Sequence, residues 1–432
     1  MIKFIYYGIF LISLILVFRS KERFLYFIPI FNVIVDTSFS FFTGFSEITY
    51  LRGLVLILFI LITLWKVNLT KLNFTIYLFL FYVLLIVLNS NELLYSIKAY
   101  FQILIPFLIF TISLNYFDNE NKIKNLLNIS YLILPLSVVF TSAGYIYGIG
   151  RVLEYTLTGS VSEETVGLLG SGGQYVPGVM ISMLPLLFVI RNKSDKIIWI
   201  YFAIGIINYI FIILNMRRTA ILIPAIGLLP FIFISKHKIK FIKFIFIFFI
   251  SLLLISPLYK DKLIKRYEIR AEKGRFDEDF YKTEARYTEN IEMLEEIVKF
   301  TEPYKVLFGI GNNAFAEAIY KGEVVRRMYH SDTAKLYHSI GMFGLLFYFS
   351  IYVALLIKIY RTRYINPKLV YYKIAAFGLL FIQIFVSLNG SITIITFRTV
   401  TFLLIGSILG FLKNSKQLKL YDSVSYYNYN HR

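Results

Sequence analysis

Residues 197–235 read IIWIYFAIGIINYIFIIL, then NMRR, then TAILIPAIGLLPFIFIS. Two uncharged, mostly apolar runs follow one another with only four residues between them. At about 1.5 Å rise per helical residue, runs of this size come close to crossing a hydrocarbon layer roughly 30 Å thick. Of the 432 residues, 58% are apolar, 18% aromatic and only 16% charged, and the mean hydropathy is +0.68. An ordinary soluble domain is about 45–50% apolar and about 25% charged. These values exclude an ordinary cytosolic enzyme, a disordered chain and a secreted disulfide scaffold. The chain has no cysteine, so no disulfide, thiolate metal site or cysteine nucleophile is available.

The same pattern recurs near 2–18, 24–41, 51–65, 74–88, 93–114, 126–148, 175–190, 244–258, 336–357, 373–388 and 391–410. With the two runs above, that makes thirteen, of which 24–41 has the weakest pattern. Arg19-Ser20-Lys21-Glu22-Arg23 directly follows the first run and offers no small-residue cleavage site, so no removable signal peptide is expected. The expectation is an all-α, polytopic membrane protein with twelve or thirteen spans. Its divisions are an N-terminal bundle (1–258), a large hydrophilic segment (259–335), C-terminal spans (336–412) and a tail (413–432).

A net charge of +19 would suggest a nucleic-acid partner in a soluble protein. Here the positions of the charges decide. The alternate connections 19–23, 66–71, 115–125, 191–196, 236–243, 358–373 and the tail from 413 hold 23 Lys and Arg but only five acids. The bias of Lys and Arg toward cytoplasmic loops puts these connections inside. Residues 259–328, with 14 basic and 14 acidic side chains, then fall on the outer side. No nucleic acid is needed to explain the charge. Eight basic residues are left over: Lys3, Arg52, Lys98, Arg151, Arg217, Arg218, Lys335 and Arg398.

Several outer segments carry candidate chemistry. In the connection from Gly148 to Gly173, Arg151 accompanies three glutamates and a Gly-Ser-Gly-Gly run, Gly170 to Gly173. That run is either a flexible linker or a phosphate-cradling turn, and Walker spacing is absent. Arg217 and Arg218 stand where the charge bias disfavours them. They either snorkel to headgroups or bind an anion, since a guanidinium fork matches phosphate oxygens. Residues 283–300 place Ile291, Leu294, Ile297 and Val298 on one helical face and acids opposite. Gly309-Ile310-Gly311 reads as a turn, and Asn313 to Lys321 as a second helix. About 70 residues between two spans form either a solvated domain or a functional loop.

His330 stands beside Asp332 where this segment re-enters the apolar phase. That makes it a general-base candidate, with His338 about two helical turns further on. Lys98 and Arg398 lie inside apolar runs, where a charge is costly and usually faces a cavity or a partner. No acidic pair or histidine cluster has metal-ligand spacing.

Together, the run His330-Ser331-Asp332-Thr333-Ala334-Lys335-Leu336-Tyr337-His338-Ser339-Ile340-Gly341-Met342-Phe343-Gly344 resembles the His-Ser/Asn and Gly-x-x-Gly pattern of the Wzy-type O-antigen/capsule polymerase and O-antigen ligase superfamily. Upstream, Leu307-Phe308-Gly309-Ile310-Gly311-Asn312-Asn313-Ala314-Phe315 resembles that superfamily's Leu-x-Gly-x-Gly-x-x-x-Phe turn. Arg286 in Glu-Ala-Arg-Tyr resembles the arginine often found before its amphipathic helix, and Arg217-Arg218-Thr219-Ala220 its Arg-rich span opening. The likeness covers roughly 130–410.

It implies a GT-C-like, inverting, metal-independent glycosyltransferase with no cofactor in the bacterial inner membrane. Its donor would be an undecaprenyl-diphosphate-linked oligosaccharide, used on the outer face to build O-antigen or capsular polysaccharide. A chain-length regulator and a flippase of the same pathway are the implied partners. On this reading Arg217, Arg218, Arg286, Arg398 and Arg151 face the diphosphate, while His330, oriented by Asp332, deprotonates the acceptor. A ligase transferring finished glycan to lipid A-core shares the chemistry. A lipid-linked oligosaccharide flippase is the alternative of another class.

Overall fold

In a computed structural model, the described residues are 2–41, 47–65, 67, 70–90, 92–155, 161–165, 168–169, 174–190, 196–215, 218–235, 238–272, 285–309, 318–320, 323–325, 331–362, 368–389 and 394–429. They form a helical bundle: α1 (Ile2–Arg19), α2 (Lys21–Asp36), α3 (Glu47–Leu64), α4 (Lys71–Leu88), α5 (Leu93–Tyr116), α6 (Glu120–Tyr131), α7 (Ile133–Tyr147), α8 (Tyr175–Ser182), α9 (Leu184–Ile190), α10 (Lys196–Leu214), α11 (Arg218–Ile234) and α12 (Lys238–Ile255). After these come α13 (Lys260–Glu272), α14 (Ala285–Lys299), α15 (Pro303–Phe308), α16 (Asp332–Arg361), α17 (Leu369–Asn389) and α18 (Ile395–Tyr429).

Each apolar run is helical over most of its described residues, and among these, nine segments are long and apolar enough to cross a membrane, fewer than the twelve or thirteen expected. Short helices account for part of the difference. The 16-residue α2 contains Pro29 and is largely buried in the bundle, the 175–190 run is split into α8 and α9, and α11 has 17 residues. The chain is thus a multi-pass membrane protein.

Two small hairpins depart from the all-α expectation. β1 (Arg151–Tyr155) pairs antiparallel with β2 (Val161–Thr165) in the connection between α7 and α8, with Leu153 opposite Glu163. β3 (Ala318–Tyr320) pairs with β4 (Glu323–Val325), so the helix expected up to Lys321 is not formed over Ala318–Tyr320. β-branched Ile319, Val324 and Val325 favour extended backbone, and the register leaves two residues to connect the strands, one of them Gly322.

The centre of the bundle is α18, whose stretch Ile395–Leu412 is buried throughout. It packs along α5 at small residues. A Cβ on Gly410 would lie 2.6 Å from the Leu114 carbonyl oxygen, so the two backbones touch there. Buried hydroxyls in α18 turn back onto their own helix: Thr401 donates to Phe397 O at 2.7 Å and Ser407 to Leu403 O at 2.6 Å. That satisfies them without a partner helix.

Among the described residues, helix ends that the charge pattern assigns to the same side meet one another. At the lysine-rich end, Lys21 donates to Ile62 O at 3.1 Å. At the other end, Tyr145 donates to Asn215 at 3.0 Å, and Arg52 at the start of α3 meets Asp36 at the end of α2, at 2.5 Å.

Among the described residues the runs through Leu132, Met183 and Gly341 are interrupted, and a tyrosine hydroxyl meets the break at two of them. Gly341 sits at φ +68 within α16 and separates a short buried stretch, 332–340, from the rest. A side chain there would collide with the Leu307 carbonyl at the end of α15, so α15 and the break interlock. The Tyr82 hydroxyl donates to Ile340 O at 2.9 Å, and the Tyr131 hydroxyl to Met183 O between α8 and α9 at 2.6 Å. The Ile340 carbonyl, released from its helix inside an apolar phase, needs such a donor, whereas Met183 O also accepts from Leu186 N at 3.0 Å.

Candidate functional site

Of the charged residues that orientation bias leaves over, Arg52, Lys98, Arg218, Lys335 and Arg398 lie at the end opposite the lysine-rich connections. There α3, α5, α11, α16 and α18 begin, and the 259–330 segment packs against them through α14 and α15. Met293 of α14 and Val306 of α15 form a small core with Tyr337. The face of α14 that packs differs from the expected one. Glu289 and Met293 are buried and Ile297 is partly so, whereas Leu294 and Val298 are exposed. Docking against Val306 and Tyr337, not the helix's own apolar arc, chooses the face.

Ser331 caps α16 by accepting a hydrogen bond from Ala334 N at 3.2 Å. The hydroxyls of Ser331 and Thr333 donate to Asn290 Oδ1 of α14, at 3.2 and 2.9 Å. These bonds tie the large segment to the point where α16 starts. Asn290 also lines a cleft of about 510 Å³ between α11, α14 and α17, whose other polar walls are Arg218, Thr219, Tyr287 and Asn389. Ile291, Phe385 and Leu388 supply its apolar wall.

Behind Asn290, Asp332 is fully buried and paired with Arg398 through Oδ2 and Nη2. The guanidinium Nη1 also donates to Gln383 Oε1 at 2.5 Å, Ser387 Oγ at 3.0 Å and Tyr352 Oη at 3.2 Å. Tyr348 lies 2.7 Å from Tyr352 and 2.8 Å from Ser387, hydroxyl to hydroxyl. A buried charge in such surroundings is held by pairing and by several donors and acceptors together. Lys335, one turn into α16, is 1% exposed and within electrostatic reach of Asp332 and of Lys98 from α5. His338 is buried too, its Nδ1 3.8 Å from Glu296 Oε2 on α14. Burial pushes the Glu296 carboxyl above its usual range, an effect the nearby Lys305 ammonium only partly offsets.

The expected site residues therefore divide. Arg218 is exposed and lines the cleft. Arg286 lies in the first turn of α14, four residues before Asn290, and Arg151 begins β1; the side chains of both lie outside the described residues, as do Arg217 and His330 entirely. Asp332 and Arg398 come together, but they engage each other rather than facing the cleft as separate groups. Sequence reasoning passed over Tyr287, Asn290, Tyr348, Tyr352, Gln383 and Ser387. A signal for four of them was present: Tyr348 and Tyr352, and likewise Gln383 and Ser387, are spaced four apart in apolar runs, which puts each pair on one helical face. Among the described residues no cluster of three His or acidic side chains is placed to hold a metal ion.

No protein-family model matches the chain, and no curated protein does.

Proposed function

We propose that the chain is a membrane glycosyltransferase that takes an undecaprenyl-diphosphate-linked oligosaccharide at the arginine-bearing end. It would polymerise repeat units into O-antigen or capsular polysaccharide on the outer face of the bacterial inner membrane. The observation that carries this reading is the convergence, at one cleft, of Arg218, the helix bearing Arg286, and the start of α16 just after His330. A lipid tail can stay in the bilayer while its headgroup reaches such a cleft.

In the reaction, the acceptor hydroxyl attacks the anomeric carbon as the bond from that carbon to the diphosphate oxygen breaks, inverting the centre. The hydroxyl proton passes to His330, and the lipid diphosphate leaves with the bonding electron pair. Charge building on the leaving oxygens calls for fixed cations, the role of Arg217, Arg218 and Arg286. Asp332 and Arg398, locked to each other, act as positioning residues that hold the start of α16 in place.

Glycan analysis of a deletion strain tests the reading. A polymerase deletion leaves single repeat units attached to their final acceptor, whereas loss of a ligase leaves no glycan attached. Arg218→Ala and His330→Ala, in protein that still inserts and accumulates, should abolish polymer; normal chain lengths in both remove those residues from the mechanism. Arg218→Lys should be impaired as well if the diphosphate is held bidentately.

One observation favours the flippase alternative: the interruptions at Met183 and Gly341 lie eight and nine residues after their helices begin. Broken helices of this kind often line transport sites. Accumulation of unflipped lipid-linked repeat units in the deletion strain would select that reading.

A further inference from the structure

At the opposite, lysine-rich end, a second cavity of about 560 Å³ opens between α4, α16 and α18. Four cations line it: Lys71, Lys358, Arg361 and Lys413. No acidic side chain is among its lining residues. Orientation bias explains why each of these residues lies at this end, since they belong to three different cytoplasmic connections. It does not explain why three helices bring them to one cavity.

Helix dipoles account for only part of the arrangement. Lys358 and Arg361 occupy the last turn of α16, where cations are favoured. Lys71, however, is the first residue of α4, a helix with no acid in its first turn, and a cation is disfavoured at that positive end. Lys358 and Lys413 are also close enough to repel each other. An anion seated among them would remove both penalties, and the N-terminal amides of α4 would add to its binding. The floor of the cavity is apolar, formed by Leu72, Ile357, Leu409 and Leu412. A cationic rim over an apolar floor fits an amphiphilic anion better than a free one.

We propose that this cavity binds the phosphate headgroup of an anionic phospholipid, with the glycerol and upper acyl chains on the leucine floor. Basic pockets between membrane helices take such headgroups. The site lies at the end of the bundle away from the glycosyl-transfer cleft and does not depend on that assignment.

Native mass spectrometry of the full-length protein in neutral detergent tests it, with phosphatidylglycerol, phosphatidylcholine and inorganic phosphate as probes. Phosphatidylglycerol should be retained roughly tenfold over phosphatidylcholine, and the Lys358→Gln/Lys413→Gln variant should lose that preference. Lys122→Gln/Lys124→Gln removes the same charge at the same end but outside the cavity, and should leave it unchanged. Should the cavity variant fail to fold, the exposed Lys71→Gln reads the same ratio and should lower it. The proposal is overturned by wild-type protein without lipid preference, by cavity variants that keep it, or by equal loss in the control pair. Binding of inorganic phosphate with no preference among lipids also overturns it, in favour of a free anion.

Discussion

Asp332 and Arg398 show what a single pair of residues decides here. Arg398 is 2% exposed, and its guanidinium is shared among an acid, an amide and two hydroxyls. Removing one partner strands the other charge in an apolar interior, so Asp332→Asn or Arg398→Met should each cost about 3–5 kcal/mol of stability. Denaturant unfolding in detergent measures that loss. The joint replacement Asp332→Leu/Arg398→Met should recover most of it, because neither charge is then orphaned. If the double variant is as damaged as the sum of the singles, the pair is not acting as a unit. The charges themselves were legible in the sequence: an arginine inside an apolar run and an acid at its mouth. Their partnership was not, since 66 residues separate them and His330 stood nearer as a partner for Asp332.

At the scale of elements, the break at Gly341 and the docking of α14 matter most. Gly341→Ala puts a side chain at φ +68 and against the Leu307 backbone, so it should destabilise by more than about 1 kcal/mol and loosen α15. Tyr82→Phe should cost about 1–3 kcal/mol by leaving the Ile340 carbonyl without its donor. Thermal unfolding of the two variants checks both expectations.

The docking of α14 should also respond to pH through Glu296. Its carboxyl holds its proton more tightly when folded than when unfolded, so the folded form binds more protons from its ordinary value near 4.5 upward to the raised one. Docking should therefore weaken as pH rises through that window, seen as faster amide exchange in α14, and Glu296→Gln should flatten the response. The Gly-x-x-Gly spacing at 341–344 was visible beforehand. Its consequence, a helix broken against α15, depends on a contact 34 residues away in the chain. The packed face of α14 was misread for the same kind of reason: helical periodicity ranks faces by apolarity, while Val306 and Tyr337 determine which one is covered.

For the whole molecule, orientation is the most exposed expectation. Because the chain has no cysteine, single introduced ones report accessibility without background. An impermeant thiol reagent should label Thr301→Cys in intact cells and spare Ser194→Cys; the reverse pattern would put the large segment inside and remove the proposed transferase. The sequence alone determined the membrane class, the positions of the apolar helices, the alternation of their connections and the small set of cations that orientation bias leaves over. Each follows from local physics: the hydrocarbon thickness, the period of a helix and the cost of moving Lys and Arg across a bilayer. Only the tertiary structure decided where the apolar helices are broken, which cations share a cleft, that Asp332 belongs to Arg398, and that four lysine-end cations line one cavity. Those are outcomes of close packing between segments distant in the chain, where the neighbours of a side chain rather than its own character settle whether its charge is paired, buried or open to a ligand.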